Sequence, residues 1–124
     1  MKVRDIIKPE NYKVKVEDSI DKVLELMTKL HINGIPVVDD LDNLVGMVVK
    51  ADIYRFMIAP GHYNSCPVEW VMSKSVILAD GDEDILTVAK RLRNNDINSM
   101  PIISDNKIIG TVSTEDLLDY YIKN

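Results

Sequence analysis

The sequence contains little of what disulfide-bonded, thiolate-metal or membrane proteins require. It has one cysteine, Cys66, among 124 residues, so an internal disulfide and a cysteine metal cluster are both excluded. No apolar run approaches the ~18 residues that a membrane-spanning helix needs. The N-terminal stretch MKVRDIIKPE has no apolar segment of signal-peptide length. These absences predict a cytoplasmic protein that has no contact with a membrane.

A concentration of positive charge is also lacking. The formal net charge is −5, and the 15 lysines and arginines are scattered along the chain rather than gathered into a basic stripe. Aromatic residues make up 6% of the sequence, too few for a surface on which bases stack. Binding to nucleic acid is therefore not expected.

The sequence lacks the residue combinations that form common active sites. It contains no pairing of a nucleophile with a base, no glycine-rich phosphate loop followed by lysine and no cluster of metal ligands. We therefore predict a protein that is not an enzyme, binds no metal and requires no cofactor.

The chain instead contains one pattern written twice. Residues 17–40, EDSIDKVLELMTKLHINGIPVVDD, align with residues 82–105, DEDILTVAKRLRNNDINSMPIISD, at an offset of 65. After a one-residue deletion in a turn, GMVVKAD (46–52) aligns with GTVSTED (110–116). Proline, glycine and aspartate recur at matching places, which a shared apolar period alone would not produce. We interpret the pattern as an internal duplication.

Each copy predicts the order strand–helix–strand–strand–helix, an α/β (α+β) fold. Apolar residues at 20, 23, 24, 27 and 30 have helical spacing, with Ser19 or Asp18 as the cap. The equivalent helix runs from Asp84 to about Asn95, and the last helix of each copy begins near residue 50 or 114. The residues expected to face inward in these last helices are Ile53, Phe56, Leu117, Leu118 and Tyr121.

The duplication also predicts the domain organisation. Repeat 1 covers residues 1–58, repeat 2 covers 68–124, and the Pro-, Gly- and Ser-containing stretch 59–67 links them. A repeat of about 60 residues buries too little apolar surface to be stable by itself. We therefore expect the two sheets to pack face to face around a pseudo-twofold axis, which creates two related clefts.

Together, these motifs resemble a tandem pair of cystathionine-β-synthase (CBS) domains, often called a Bateman module. The resemblance extends from about Val3 to Tyr121 and rests on two phrases that both occur twice. These are the hydrophobic–Pro–hydrophobic–hydrophobic strand and the Gly-x-x-Ser/Thr-x-x-Asp phrase. The resemblance implies a regulatory module that binds an adenosine-containing ligand, such as an adenine nucleotide or S-adenosylmethionine, between the repeats.

In such modules the aspartate of the phrase holds the ribose and the hydroxyl residue contacts ribose or phosphate, which implies roles here for Asp116 and Ser113. Thr114 could add a hydroxyl, and Lys13 could reach a phosphate. The resemblance brings further residues to the same cleft: Ile7, Tyr12, Gly34, Ile35 and Ser99. The mirror cleft would use Asp52, Ser75, Val76 and Ile77, but Val49 stands where the hydroxyl belongs. This second site is therefore expected to be the weaker one.

Two alternatives remain open at this stage. Ser113 and Asp116 also have the spacing of a helix capping box, a role compatible with ligand binding. Val49, and the absence of a basic residue at Ser99, are also consistent with a structural or dimerisation module that binds no nucleotide and acts through a protein partner. The resemblance further implies a homodimer with four repeats in a flat disc. Trp70 and Met72 are expected to pack between repeats or between chains.

Overall fold

A computed structural model describes residues 1–7, 12–61 and 65–123. The predicted linker, residues 59–67, therefore includes three residues (62–64) that lie outside the described ranges. In these ranges the chain forms six strands and four α-helices, and the predicted order of elements is confirmed for both repeats.

The elements of repeat 1 form one three-stranded sheet and two helices. They are β1 (Val14–Lys15), α1 (Ile20–Leu30), β2 (Gly34–Val38), β3 (Leu44–Val49) and α2 (Lys50–Ile58). The sheet has the order β1-β2-β3, with β1 parallel and β3 antiparallel to β2. Every residue of β2 is buried, as expected for a central strand with an apolar sequence.

Repeat 2 gives the same set of elements. They are β4 (Ala79–Asp80), α3 (Ile85–Asn94), β5 (Ser99–Ser104), β6 (Lys107–Ser113) and α4 (Thr114–Lys123), with the sheet order β4-β5-β6. Asp105 and Asn106 both have positive φ angles (51° and 64°), so this two-residue turn suits the twist of the β5–β6 hairpin. Between the equivalent paired residues, Val38 with Leu44 and Ile103 with Ile108, the connection has five residues (39–43) in repeat 1 and four (104–107) in repeat 2, which accounts for the change of offset in the sequence.

Helix starts agree with the predicted caps. The Ser19 side chain accepts a hydrogen bond from the backbone N–H of Lys22, so Ser19, and not Asp18, caps α1. Asp84 caps α3 by accepting from the N–H of Leu86.

The chain divides into two compact units. We call Lys13–Val76 the repeat-1 unit, and Met1–Tyr12 with Ile77–Asn124 the repeat-2 unit. The N-terminal segment thus belongs with repeat 2, and the stretch after the linker belongs with repeat 1. Each of these stretches contains a short 3-10 turn, Val3–Asp5 and Val68–Trp70, that the sequence patterns did not indicate.

Backbone hydrogen bonds hold both stretches in place. The N–H groups of Val3 and Arg4 donate to the carbonyls of Glu83 and Gly81 in the repeat-2 unit. In the repeat-1 unit, Met47 and Ser73 exchange two N–H···O bonds of 3.0 and 2.8 Å.

Two glycines receive side chains from these stretches. Gly110 of β6 lies under Ile7, and Gly46 of β3 lies under Met72, so a Cβ at either glycine would come closer than 3 Å to the side chain above it. The two contacts are equivalent in the duplication, since Ile7 aligns with Met72. The repeated glycine of the motif is thus explained by close packing.

The core follows the helical periodicity except on α4. Ile53 and Leu117 are buried and Phe56 is partly buried, as predicted. The prediction that Leu118 and Tyr121 face inward is wrong, because they are 55% and 51% exposed. Both lie beside the buried face of α4 rather than on it. None of the described helices has the length and apolar character needed to cross a membrane.

Candidate functional site

The segment that joins β6 to α4 forms a closed capping box. The backbone N–H of Ser113 donates to the Asp116 carboxylate at 2.9 Å, and the N–H of Asp116 donates to the Ser113 hydroxyl at 3.1 Å. The capping interpretation of these two residues is thereby confirmed. The bond to Ser113 holds the carboxylate at the first turn of α4. Both side chains are partly buried.

Thr114 and Ser99 lie next to this capping box. Thr114 donates its backbone N–H and its hydroxyl to the carbonyl of Asn98, at 2.9 and 3.3 Å. Ser99 lies directly opposite Ser113 in the β5–β6 register, and it is partly buried. The repeat-2 unit thus gathers three hydroxyls and one carboxylate at one end of β5 and β6.

Ile7 and Tyr12 belong to the same unit. Ile7 packs over Gly110, three residues before Ser113, and is partly buried. Tyr12 is partly buried and is the last residue of the N-terminal segment that groups with repeat 2.

The remaining residues expected at the Asp116 cleft lie in the repeat-1 unit. Gly34 and Ile35 are buried in β2, paired with Val49 and Val48 of β3. The Lys13 ammonium, expected to reach a phosphate, is 2.7 Å from the Asp42 carboxylate. Participation of these three residues in a site with Asp116 stays a prediction.

The equivalent junction of β3 and α2 in repeat 1 has a different set of hydrogen bonds. Val49 precedes α2 and offers no side-chain cap, in agreement with the missing hydroxyl. The Asp52 carboxylate instead accepts a hydrogen bond of 2.6 Å from the Arg55 guanidinium, three residues further along the helix. The position equivalent to Arg55 in repeat 2 is Asp119, so Asp116 has no such cation on its own helix.

A groove of about 430 Å³ lies beside Asp52 in the repeat-1 unit. Its walls come from α2 and from the segment that follows the linker: Asp52, Arg55, Phe56, Ala59, Trp70, Val71 and Ser73. Trp70 is 64% exposed. The sequence analysis did not single out Arg55 or Val71, and it named Phe56 only as an inward-facing residue of α2. The i, i+3 spacing of opposite charges at Asp52 and Arg55 was the available signal.

Ser75, Val76 and Ile77, expected near Asp52, continue from the segment that lines this groove. Ser75 is exposed, and its carbonyl accepts a hydrogen bond of 3.4 Å from the Ser73 hydroxyl. Ile77 is 38% exposed and is the first residue that groups with the repeat-2 unit. Among the described residues, no three His, Cys, Asp or Glu side chains are placed to hold a metal ion.

Known proteins resemble this chain over nearly its full length. It is 32% identical over 116 residues to a homoserine O-acetyltransferase of Methanohalobium evestigatum, covering 93% of this chain and 23% of that protein. It is 28% identical to an L-aspartate semialdehyde sulfurtransferase of Methanocaldococcus jannaschii, covering 93% and 22%. The chain therefore spans about a quarter of the length of these relatives.

Solved structures share the fold. The CBS domain pair of protein MJ0100, in complex with 5′-methylthioadenosine and S-adenosyl-L-methionine, is 27% identical with a TM-score of 0.87, covering 99% of this chain and 97% of that one. CBSX2 in complex with AMP is 24% identical with a TM-score of 0.86, covering 98% and 96%, and supports the fold alone.

The family model of the CBS domain matches the chain twice, at residues 3–59 and 68–123. These two matches cover most of the sequence and coincide with the two copies of the duplication. The resemblance expected from the sequence motifs is thereby confirmed, and the chain belongs to the CBS domain family.

Proposed function

We propose that this protein is a regulatory CBS-domain module that binds an adenosine-containing ligand at the junction of β6 and α4. The observation that carries the proposal is the arrangement of Asp116 and Ser113 at the start of that helix. A carboxylate binds a ribose diol well because it accepts two charge-assisted hydrogen bonds. One Asp116 oxygen accepts from the Ser113 N–H, so the carboxylate is already oriented before a ligand arrives.

The start of α4 also suits the rest of such a ligand. Backbone N–H groups and the positive end of the helix dipole favour an anionic or polar substituent nearby. Ser99 and Thr114 place two more hydroxyls beside Asp116 and Ser113. The similarity to the MJ0100 domain pair, whose structure holds 5′-methylthioadenosine and S-adenosyl-L-methionine, supports this class of ligand.

The proposed module is not an enzyme and requires no cofactor. It acts in the cytoplasm by changing conformation or assembly when the ligand binds, and it passes that change to a protein partner. Only a difference in ligand affinity between two arrangements can drive such a change.

Thermal unfolding with a panel of ligands tests the proposal. We expect 5′-methylthioadenosine, S-adenosylmethionine or an adenine nucleotide to raise the midpoint, since a ligand at about 100 times its Kd adds about 2.7 kcal/mol. Asp116→Asn should abolish this shift while retaining an oxygen that accepts from Ser113. Asp52→Asn is the matched control in repeat 1.

If none of these compounds moves the midpoint, the non-binding dimerisation module becomes the better account. If a shift survives Asp116→Asn and is lost in Asp52→Asn, the ligand binds at the other repeat.

We also propose that the protein is a homodimer that uses the exposed apolar face of α4. Tyr121 and Ile122 follow Leu118 on α4 by three and four positions, about one helical turn, and the three residues are 51%, 78% and 55% exposed. Apolar residues gathered on one exposed helix face are typical of a protein–protein interface.

Sedimentation velocity tests this assembly. Ile122→Glu should convert a dimer to a monomer because a charge would be buried at the interface. Leu86→Glu, which changes an exposed leucine on α3 of the same unit, should leave the dimer intact. A wild-type protein that sediments as a monomer at high concentration would contradict the proposal.

A further inference from the structure

The groove beside Asp52 differs in chemistry from the start of α4 around Asp116. Val49 supplies no hydroxyl at the start of α2, so this end of repeat 1 offers a phosphate or ribose fewer hydrogen bonds than repeat 2 does. What the groove does contain is a pair of opposite charges, Asp52 and Arg55, beside an apolar wall. The wall is made of Phe56, Ala59, Trp70 and Val71.

The Asp52–Arg55 ion pair is accessible to solvent, and separating its two side chains requires little free energy. The Arg55 side chain is 72% exposed and that of Asp52 is 31% exposed. Ion pairs between such exposed side chains contribute little to stability. A ligand that brings its own positive and negative groups could replace the internal contact with two new charge-assisted hydrogen bonds.

The apolar wall favours a ligand whose remaining part is apolar. The Trp70 indole is largely exposed, although burying such a ring is favourable. A volume of about 430 Å³ lies at the small end of the range for ligand pockets. The groove therefore suits a small molecule with one apolar group and two adjacent opposite charges.

We propose that this groove binds a free α-amino acid with an apolar side chain. The ammonium donates to Asp52, the carboxylate accepts from Arg55, and the side chain packs on Trp70. An α-amino acid matches the pair because its ammonium and carboxylate are held on one carbon, and the two side-chain groups that would bind them, the Asp52 carboxylate and the Arg55 guanidinium, are adjacent and 2.6 Å apart. This site is independent of the ligand proposed at Asp116.

Trp70 provides the measurement, because it is the only tryptophan of the chain. L-leucine and L-phenylalanine are titrated while the emission of Trp70 is followed, and N-acetyl-L-leucine amide serves as the probe that lacks both charges. We expect a saturable change with the free amino acids and none with the blocked derivative.

Two variants test the charged groups. Arg55→Gln and Asp52→Asn should each weaken binding by about tenfold or more, since each removes a charge-assisted hydrogen bond. Arg93→Gln, which changes an exposed arginine at the end of α3, should leave the affinity unchanged. Thermal midpoints of the variants verify that they are folded.

Three results would overturn the proposal. The first is the absence of saturation with free amino acids up to about 10 mM. The second is equal binding of the blocked derivative, or equal affinity of the Arg55→Gln and Arg93→Gln proteins. The third is saturation by 5′-methylthioadenosine that is lost in Asp52→Asn, in the absence of any response to the amino acids, because that would make the groove a nucleoside site.

Discussion

Asp116 and Asp52 occupy equivalent positions in the two repeats, yet their carboxylates have different partners. Asp116 accepts from a backbone N–H at the start of its own helix, whereas Asp52 is engaged by the Arg55 guanidinium. The difference follows from two sequence changes, Ser113 against Val49 and Asp119 against Arg55. We infer that the duplicated module has two sites of unequal chemistry, which explains why the hydroxyls occur in one copy only.

The ion pair between Glu83 and Arg91 is a second feature at the scale of individual residues. The guanidinium donates to both oxygens of the Glu83 carboxylate, at 2.6 and 2.9 Å, and also to the carbonyl of Leu78. This hydrogen bonding from Arg91, assisted by the N–H of Asp80, lowers the pKa of Glu83 below its usual value of 4.5 despite partial burial. The same pair raises the pKa of Arg91.

A lowered pKa in the folded state makes the stability depend on pH. The contribution of Glu83 is fully present above pH 4.5, the usual pKa, and is lost as the pH falls through the lower folded-state pKa. We expect Glu83→Gln to reduce the free energy of unfolding at pH 7 by about 1 kcal/mol. Urea unfolding across this pH range measures the difference, which should shrink in acid.

Glu115→Gln is the control, because this glutamate is exposed on α4. An effect of Glu83→Gln that stayed constant down to the lowest pH would contradict the assigned cause.

At the scale of elements, the main feature is the exchange of short stretches between the two sequence repeats. The segment that contains Ile7 packs on β6 of repeat 2, and the segment that contains Met72 packs on β3 of repeat 1. Gly46 and Gly110 make both contacts possible, since a side chain at either position would occupy the same space.

A double-mutant cycle tests the packing of the N-terminal segment. In Gly110→Ala the new Cβ would lie 2.9 Å from Cδ1 of Ile7, so we expect a loss of about 1–3 kcal/mol of unfolding free energy. Ile7→Val removes that Cδ1 atom, and its cost should be smaller in the Gly110→Ala background than in the wild type. Additive effects in denaturant unfolding would show that the two residues do not touch.

The order of the helices and strands, and the starts of the helices, could be predicted from the sequence because the duplication presents each pattern twice. The predicted start near residue 114 and the span from Asp84 to Asn95 agree with α4 and α3. Leu118 and Tyr121 were misassigned because α4 carries two adjacent apolar faces. Spacing alone does not show which of them meets the sheet.

The exchange of segments could not be predicted for a different reason. Hydrophobic periodicity reports local structure, whereas the choice of sheet for Ile7 depends on contacts about 100 residues away along the chain. The Asp52–Arg55 pair could have been predicted from its i, i+3 spacing in the sequence. The apolar wall beside it could not, because its residues come together only in the folded chain.

At the scale of the whole molecule, the protein is acidic and consists of two CBS domains, for which we propose one adenosine site and one amino-acid groove. Titration calorimetry of 5′-methylthioadenosine and S-adenosylmethionine most directly tests the central claim, which is that an adenosine-type ligand binds at Asp116. We expect one of them to bind at one site per chain, with an affinity that falls at least tenfold in Asp116→Asn and stays unchanged in Asp52→Asn. Equal affinities of the wild type and Asp116→Asn for these ligands would contradict the central claim.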